Sequence, residues 1–398
     1  RVAEALEQIH RHNPAEVAGL IAMHYSEGGD AERAAPHAVI AGRRAAALGA
    51  WPEAIAFFQQ GLAGSFGQAH TELLLEVGTA QLSAAAYASA AETLAEVIAA
   101  AEQSDQSAML GQASLLLGQA LLSQARFQDT IAIAERLVQR DGDVAARAEV
   151  LWGTALSLEG ADLEEAAAHF RRAERSGRLA GDADSLAQIR FELGGIRAQQ
   201  GQFDQAIVHY HEALAIAEHD GSERTIAWQV LAHNNLGYHL HLLGDPAARH
   251  HAERGLLIAR ERGVIGLETY LYSTLGEIAL AAGQFDEAEA AFRAGLLLAE
   301  QLVVPERIAG LTANLGRVDA ARGLHDLAIH RLSLALARAD AIGTRHLAAQ
   351  IRIWLAPLLP LAAARETIAD ARMIAVASGR RRLIEEITRV EIELNRRA

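Results

Sequence analysis

The chain has 398 residues, 51% of them hydrophobic and only 5% aromatic, which is enough apolar material for a large core of tightly packed Ala/Leu-rich helices. All 36 basic side chains are arginine, so a phosphate-binding loop of the Gly-Lys-Ser/Thr kind, a Schiff-base lysine and a kinase-type lysine are excluded from it. Fifty acidic residues set the net charge at −14, which opposes direct nucleic-acid binding, and the lack of cysteine removes disulfides, thiolate zinc sites and thiol catalysis.

From the amino-terminal end the pattern predicts a helix to about His12, a second from about Pro14 to Glu27 and a third from about Ala31 to Leu48. A repeat then sets in, with anchor glycines at Gly42, Gly78, Gly118, Gly153, Gly194, Gly237, Gly276 and Gly316, spaced 35 to 43 residues apart. Its clearest copy has Leu193-Gly194, then Gly201, Ala206, Tyr210 and Leu214; eighty residues on it reads Leu275-Gly276, Gly283, Ala288, Phe292 and Leu296. Small residues such as Gly194 and Ala206 let two helices approach closely. Gly201 suits the left-handed residue that ends a first helix, and Phe203, Tyr210 and Leu214 make one apolar stripe on the second. Ala54, Ala90, Ala206, Ala288 and Ala328 hold the small position twelve residues after the anchor, and Ala166 holds it thirteen after Gly153. Thr130 replaces it in the third unit. In the sixth, Arg249 falls there unless the Gly244-Asp245-Pro246 turn is one residue short, in which case Ala248, Ala252 and Gly255 restore the register. A degenerate pair follows, Arg345 to Leu358 and Arg365 to Ser378, and a charged last helix from Arg381 to Asn395 closes the series.

One hairpin cannot bury its own apolar face, whereas stacked hairpins can. The expectation is an all-α, right-handed α-solenoid of about nine hairpins plus a carboxy-terminal capping helix. It is read as one continuous solenoid in three stretches: an irregular amino-terminal junction with the first units over 1–64, regular repeats over 65–344, and a degenerate repeat with its cap over 345–398.

These motifs resemble the tetratricopeptide repeat (TPR) family over nearly the whole chain, most clearly around Gly194, Gly237, Gly276 and Gly316. The insertions beyond the 34-residue family minimum, such as Glu218-His219-Asp220-Gly221-Ser222-Glu223, are similar to those in TPR sensor regions of large bacterial signalling ATPases of the maltose-regulator type. The opening segments Arg1 to Glu7, Ala22 to Ala34 and Ala41 to Ala45 resemble the junction that follows the nucleotide-binding and winged-helix parts of such proteins. The resemblance implies a non-catalytic sensor or interaction region of a larger signalling or transcription-regulating ATPase. It would bind a peptide, a protein or a small inducer in a concave groove and have an NTPase or output domain attached. A free-standing TPR adaptor holding protein partners together is the alternative, and an enzyme is not expected. The chain opens on Arg1 in amphipathic helix without an initiator Met or signal peptide, and is read as part of a longer, cytoplasmic protein. The most apolar stretch, Trp354 to Ala364, is broken by Pro357 and Pro360 and is too short to span a membrane.

Eight of the 17 histidines fall between His209 and His251, but the spacings His209/His211, His239/His241 and His250/His251 place no two on one helical face. Metal ligands could meet only across helices, His239 or His241 with His209 for example, and neither metal nor cofactor is expected. Carboxylates such as Asp162-Leu163-Glu164-Glu165 and Asp286-Glu287-Ala288-Glu289 stand at the starts of second helices, where they offset the helix dipole and cap free amides. Arg380-Arg381-Arg382 is read as surface charge flanking a helix.

In the TPR family the first helix of each pair lines the groove, with the residues two before and one after the anchor glycine pointing into it. By that resemblance the candidate binding residues are Glu192, Asn235 and Asn314 on one side and Tyr238, Glu277 and Arg317 on the other, with Arg190 and His241 nearby. An Asn amide both donates to and accepts from an extended peptide backbone. Asn235 and Asn314 either meet a ligand or hold the neighbouring helix, and both readings stand.

Overall fold

The computed structural model describes residues 1–140, 142–159, 162–377 and 381–397. Among them are 21 α-helices, three short 3₁₀ turns and no strand. Contacts cluster into two compact units, one of residues 1–159 with 171–178, the other of residues 160–170 with 179–398. The sequence shows no composition shift at that division, and the three stretches above divide the chain by repeat regularity, a different criterion.

The first unit opens with α1 (Val2–Ile9), α2 (Ala18–Glu27) and α3 (Ala31–Ala47), against expected ends at His12, Glu27 and Leu48. It continues through α4 (Trp51–Leu62), α5 (Gly67–Ser83), α6 (Tyr87–Gln103), α7 (Ser107–Ser123), α8 (Phe127–Leu137) and α9 (Asp143–Glu159). Helix α10 (Leu163–Arg175) carries the division. The second unit contains α11 (Ala183–Gln199), α12 (Phe203–Asp220), α13 (Ile226–Leu242), α14 (Ala247–Glu261), α15 (Ile265–Ala281) and α16 (Phe285–Gln301). It ends with α17 (Pro305–Ala321), α18 (His325–Ala341), α19 (Arg345–Leu355), α20 (Leu361–Ala377) and α21 (Arg381–Arg396). In chain order α3 to α20 are nine pairs of a first and a second helix, the expected number, with α21 beyond them.

The anchor glycines make room for one side chain sixteen residues on. A Cβ at Gly42 would lie 2.5 Å from the Phe58 ring, at Gly194 2.7 Å from Tyr210, and at Gly276 2.4 Å from Phe292, all three rings being essentially fully buried. Gly118 departs: its missing Cβ admits Leu151 of the following first helix, at 2.3 Å. In that unit Thr130 takes the alanine position fully buried, its hydroxyl donating to the Arg126 and Gly118 carbonyls at 3.0 and 3.4 Å. In the sixth unit Ala248, 3% exposed, packs against Gly237, so the turn there is the one-residue-short form.

Gly201, at φ +78°, ends α11 in the left-handed region, and Gly244, Gly283 and Gly323 do the same for later first helices. The acidic starts of second helices behave as expected for Asp162, whose carboxylate accepts from the Glu165 amide at 2.9 Å. They also bridge repeats: Glu164 accepts from Arg197 at 2.9 Å, and Arg322 reaches back to both Asp286 and Glu289. No helix is long and apolar enough to cross a membrane among the described residues.

Candidate functional site in the second unit

In the second unit the first helices α11, α13, α15, α17 and α19 pack side by side, each touching the next. Helical periodicity puts one stripe of each on a common inner face. On α15 the stripe is Gly266, Tyr270, Ser273 and Glu277; on α17 it is Arg307, Gly310, Asn314 and Arg317. The two stripes meet in three rungs. Arg307 lies 4.2 Å from the centroid of the Tyr270 ring, the Asn314 amide donates to the Ser273 hydroxyl at 3.1 Å, and Arg317 pairs with Glu277 at 3.6 Å.

Residues two before an anchor glycine serve largely as glue between neighbouring first helices. Thr274, 4% exposed, donates to Asn234 at 2.8 Å, and Asn314, also 4% exposed, is held by Ser273 and by Arg317 at 2.9 Å. Asn314 thus has the partners that the helix-holding reading requires. Asn235 accepts from Asn234 at 3.1 Å and bonds the Tyr210 hydroxyl.

Of the sequence candidates, Tyr238, His241, Glu277, Asn314 and Arg317 come together. His241 is half-buried; burial lowers its pKa most, Glu277 opposes that, and Arg317 and Arg382 add to it. Arg317 also stacks on the Trp354 ring of α19 at 4.3 Å. Arg190 belongs elsewhere, paired with Glu212 at 3.1 Å. Glu192 is half-buried by surface area yet enclosed by enough protein that burial alone pushes its carboxyl up to about 7. It has no ion-pair or hydrogen-bond partner among the described residues. One turn along the same stripe, a Cβ at Gly195 would meet nothing within 4 Å, so room is left beside that carboxyl.

Sequence reasoning missed the contribution of α21. Arg382, expected to be helix-flanking surface charge, donates to the Tyr238 hydroxyl at 2.8 Å and stands 5.5 Å from that ring's centroid. It also bonds Glu386 at 2.9 Å, which accepts from Gln350 of α19 at 2.8 Å. The second unit therefore curves far enough to bring its last helix against its second hairpin, and a cavity of about 400 Å³ lies between α21 and the α11–α12 turn. Gly379 and Arg380 lie outside the described residues.

The histidines that meet across helices are not those proposed. His209 bonds Glu212 at 3.2 Å, while His239 donates to the Asn235 carbonyl at 2.7 Å and packs among Phe203, Tyr210 and Tyr238. Instead His233 meets His251 at 3.0 Å, with the His211 and His250 rings beside His251. No group of three or more potential metal ligands converges among the described residues.

The fold is that of TPR-like helical-repeat proteins. No protein-family model and no curated protein matches the chain. Among solved structures it is similar to a Rap protein complexed with Competence and Sporulation Factor, at TM-score 0.56 and 14% identity over 82% of this chain and 98% of that one. The apo form of RapI is alike at TM-score 0.56 and 16% identity, over 82% and 97% of the two chains. A Signal Transduction ATPase with Numerous Domains from Pyrococcus horikoshii, a protein with a TPR sensor, aligns at TM-score 0.57 and 12% identity over 89% of this chain and 54% of that one.

Proposed function

We propose that the inner face of the second unit binds an extended peptide or protein segment, and that the chain is the non-catalytic TPR sensor region of a larger signalling or transcription-regulating ATPase. The observation that carries the binding reading is a pair of ionisable groups of opposite sign on the common inner face, Glu192 on α11 and Arg307 on α17, each without an ion-pair partner among the described residues. Buried groups left unmet cost about 1–3 kcal/mol each, and a ligand that spans the intervening helices returns that energy. A chain of amides and mixed side chains suits the hydroxyl, amide and ionic groups between them. The likeness to the ATPase with a TPR sensor supports the signalling half. A nucleotide-binding domain encoded immediately upstream of Arg1 would bear it out.

Similarity over 98% of a Rap chain solved with a bound factor favours a second reading, a free-standing regulator or adaptor that uses the same face. Panning a random peptide library against the protein tests the face in either case. Enriched peptides should lose affinity at least tenfold to Glu192→Gln, with the melting temperature near wild type, and to Tyr238→Phe, with stability lowered only by the loss of the Arg382 contact. Peptides indifferent to both substitutions would move the site off this face.

A further inference from the structure

On the first rung of the inner face the guanidinium of Arg307 lies over the Tyr270 ring, 4.2 Å from its centroid. Stacking uses the flat face of the group and leaves its N–H donors at the edge. Those donors have no acceptor among the described residues, and Nε is buried without any partner. The nearest carboxylates are committed elsewhere, Glu306 to His346 at 3.4 Å and Glu277 to Arg317 at 3.6 Å. The other two rungs between α15 and α17 close on protein partners.

The space around this arginine is open on both helices. Gly310 follows Arg307 by one turn, and Gly266 precedes Tyr270 by one turn on α15. A Cβ on Gly266 would meet nothing within 4 Å, and one on Gly310 only Leu347 Cδ1 at 3.9 Å, an ordinary contact. Gly316 on the same helix is different, since its Cβ would lie 2.9 Å from Leu332. Glycine in a helix interior costs about 1 kcal/mol relative to alanine. At Gly316 packing requires it. At Gly310 nothing among the described residues does, and what the missing side chain leaves is a shelf beside unsatisfied donors.

We propose that Arg307 and Tyr270, with the shelf left by Gly266 and Gly310, form a subsite for an oxyanion, the carboxylate or phosphate group of a ligand lying along the inner face. The edge of a guanidinium matches two oxygens of either group, and the ring beneath fixes its plane. The inference rests on reading this face as the binding surface and adds the chemistry that one end of the ligand must carry.

The test is an arginine side-chain ¹⁵N–¹H spectrum of the whole chain, titrated separately with acetate and inorganic phosphate at constant ionic strength held with chloride. The Arg307 Nε–H signal is identified by its loss in Arg307→Gln. It should shift saturably with at least one anion, while exposed arginines drift linearly. Saturation by acetate alone points to a carboxylate, and saturation at tenfold lower phosphate points to a phosphate group. Gly310→Ala should raise the melting temperature and weaken the anion severalfold, and Gly310→Leu should weaken it tenfold or more. No saturable shift with either anion overturns the subsite, and unchanged affinity in both Gly310 variants overturns the shelf. Either failure is distinguishable from failure of the binding face, because peptide capture is read through Glu192 and Tyr238.

Discussion

Arg382 and Tyr238 are 144 residues apart in sequence, and the guanidinium of one donates to the hydroxyl of the other at 2.8 Å. The contact joins the last helix to the second hairpin of its unit, so it reports on the curvature of everything between. With the Arg382 side chain 35% exposed, a net contribution of about 1 kcal/mol is expected. Tyr238→Phe and Arg382→Ala should each lower stability by about that much and, in a double-mutant cycle by urea unfolding, fall short of additivity by most of one loss. Hydrogen exchange in α21 should quicken in either variant. Strictly additive losses with unchanged exchange would show that the contact carries nothing.

The hairpins were legible because their determinants are local and steric. The small residue at Gly276 and the ring of Phe292 sixteen residues later are one packing event, and an unbroken chain segment records both. A Cβ on Gly276 would stand 2.4 Å from a fully buried ring, so Gly276→Ala should cost about 1–3 kcal/mol. Its cost should shrink in a Phe292→Leu background. Equal losses in the two backgrounds would separate the glycine from the ring.

Half of the candidate site was legible for the same reason. Glu277 and Arg317 occupy equivalent positions one after the anchor glycine in consecutive repeats, and Asn314 stands one turn before Arg317 on the same helix, so repeat register and helical period bring the three together. Arg382 and Trp354 have no such register, since no local spacing states which distant helix a curved array will meet. Asn235 and Asn314 look alike as a pattern but differ in structure, because the neighbouring first helix offers Asn314 a serine. The chemistry of Arg307 was hidden too, since its meaning depends on an acceptor that no repeat position supplies.

The turn before α17 carries a local conflict between residue type and conformation. Val303 holds φ +52° and is 75% exposed, while the matching turns before α15 and α19 have Gly263 at +68° and Gly343 at +74°. A β-branched residue in the left-handed region costs roughly 1–2 kcal/mol. Val303→Gly should therefore stabilise the protein by about 1 kcal/mol, after the greater unfolded-state freedom of glycine is deducted. A lower melting temperature for this variant would mean that the valine makes contacts worth more than the strain.

Acid should loosen the hairpin of α13 and α14 before most of the structure. His233 and His239, 4% and 7% exposed, have pKa values depressed to about 4, with burial the largest cause in each. Around His233 the charged groups that follow are all cationic, namely His251, Arg254, His250 and His211, and its Nε2 is buried without a partner. The unfolded chain takes up these protons near pH 6.5 and the folded chain only near 4. The unfolded state therefore binds more protons between those values, so stability is level above about pH 6.5, falls as pH drops through the window, and has lost this contribution below about 4. Full loss is on the order of 3 kcal/mol per histidine. Urea unfolding at pH 7.5 and 5.0 reads it. The His233→Leu/His239→Phe variant, which keeps an aromatic ring among Phe203, Tyr210 and Tyr238, should lose distinctly less stability between the two conditions than wild type. Parallel losses would place the acid sensitivity in other groups.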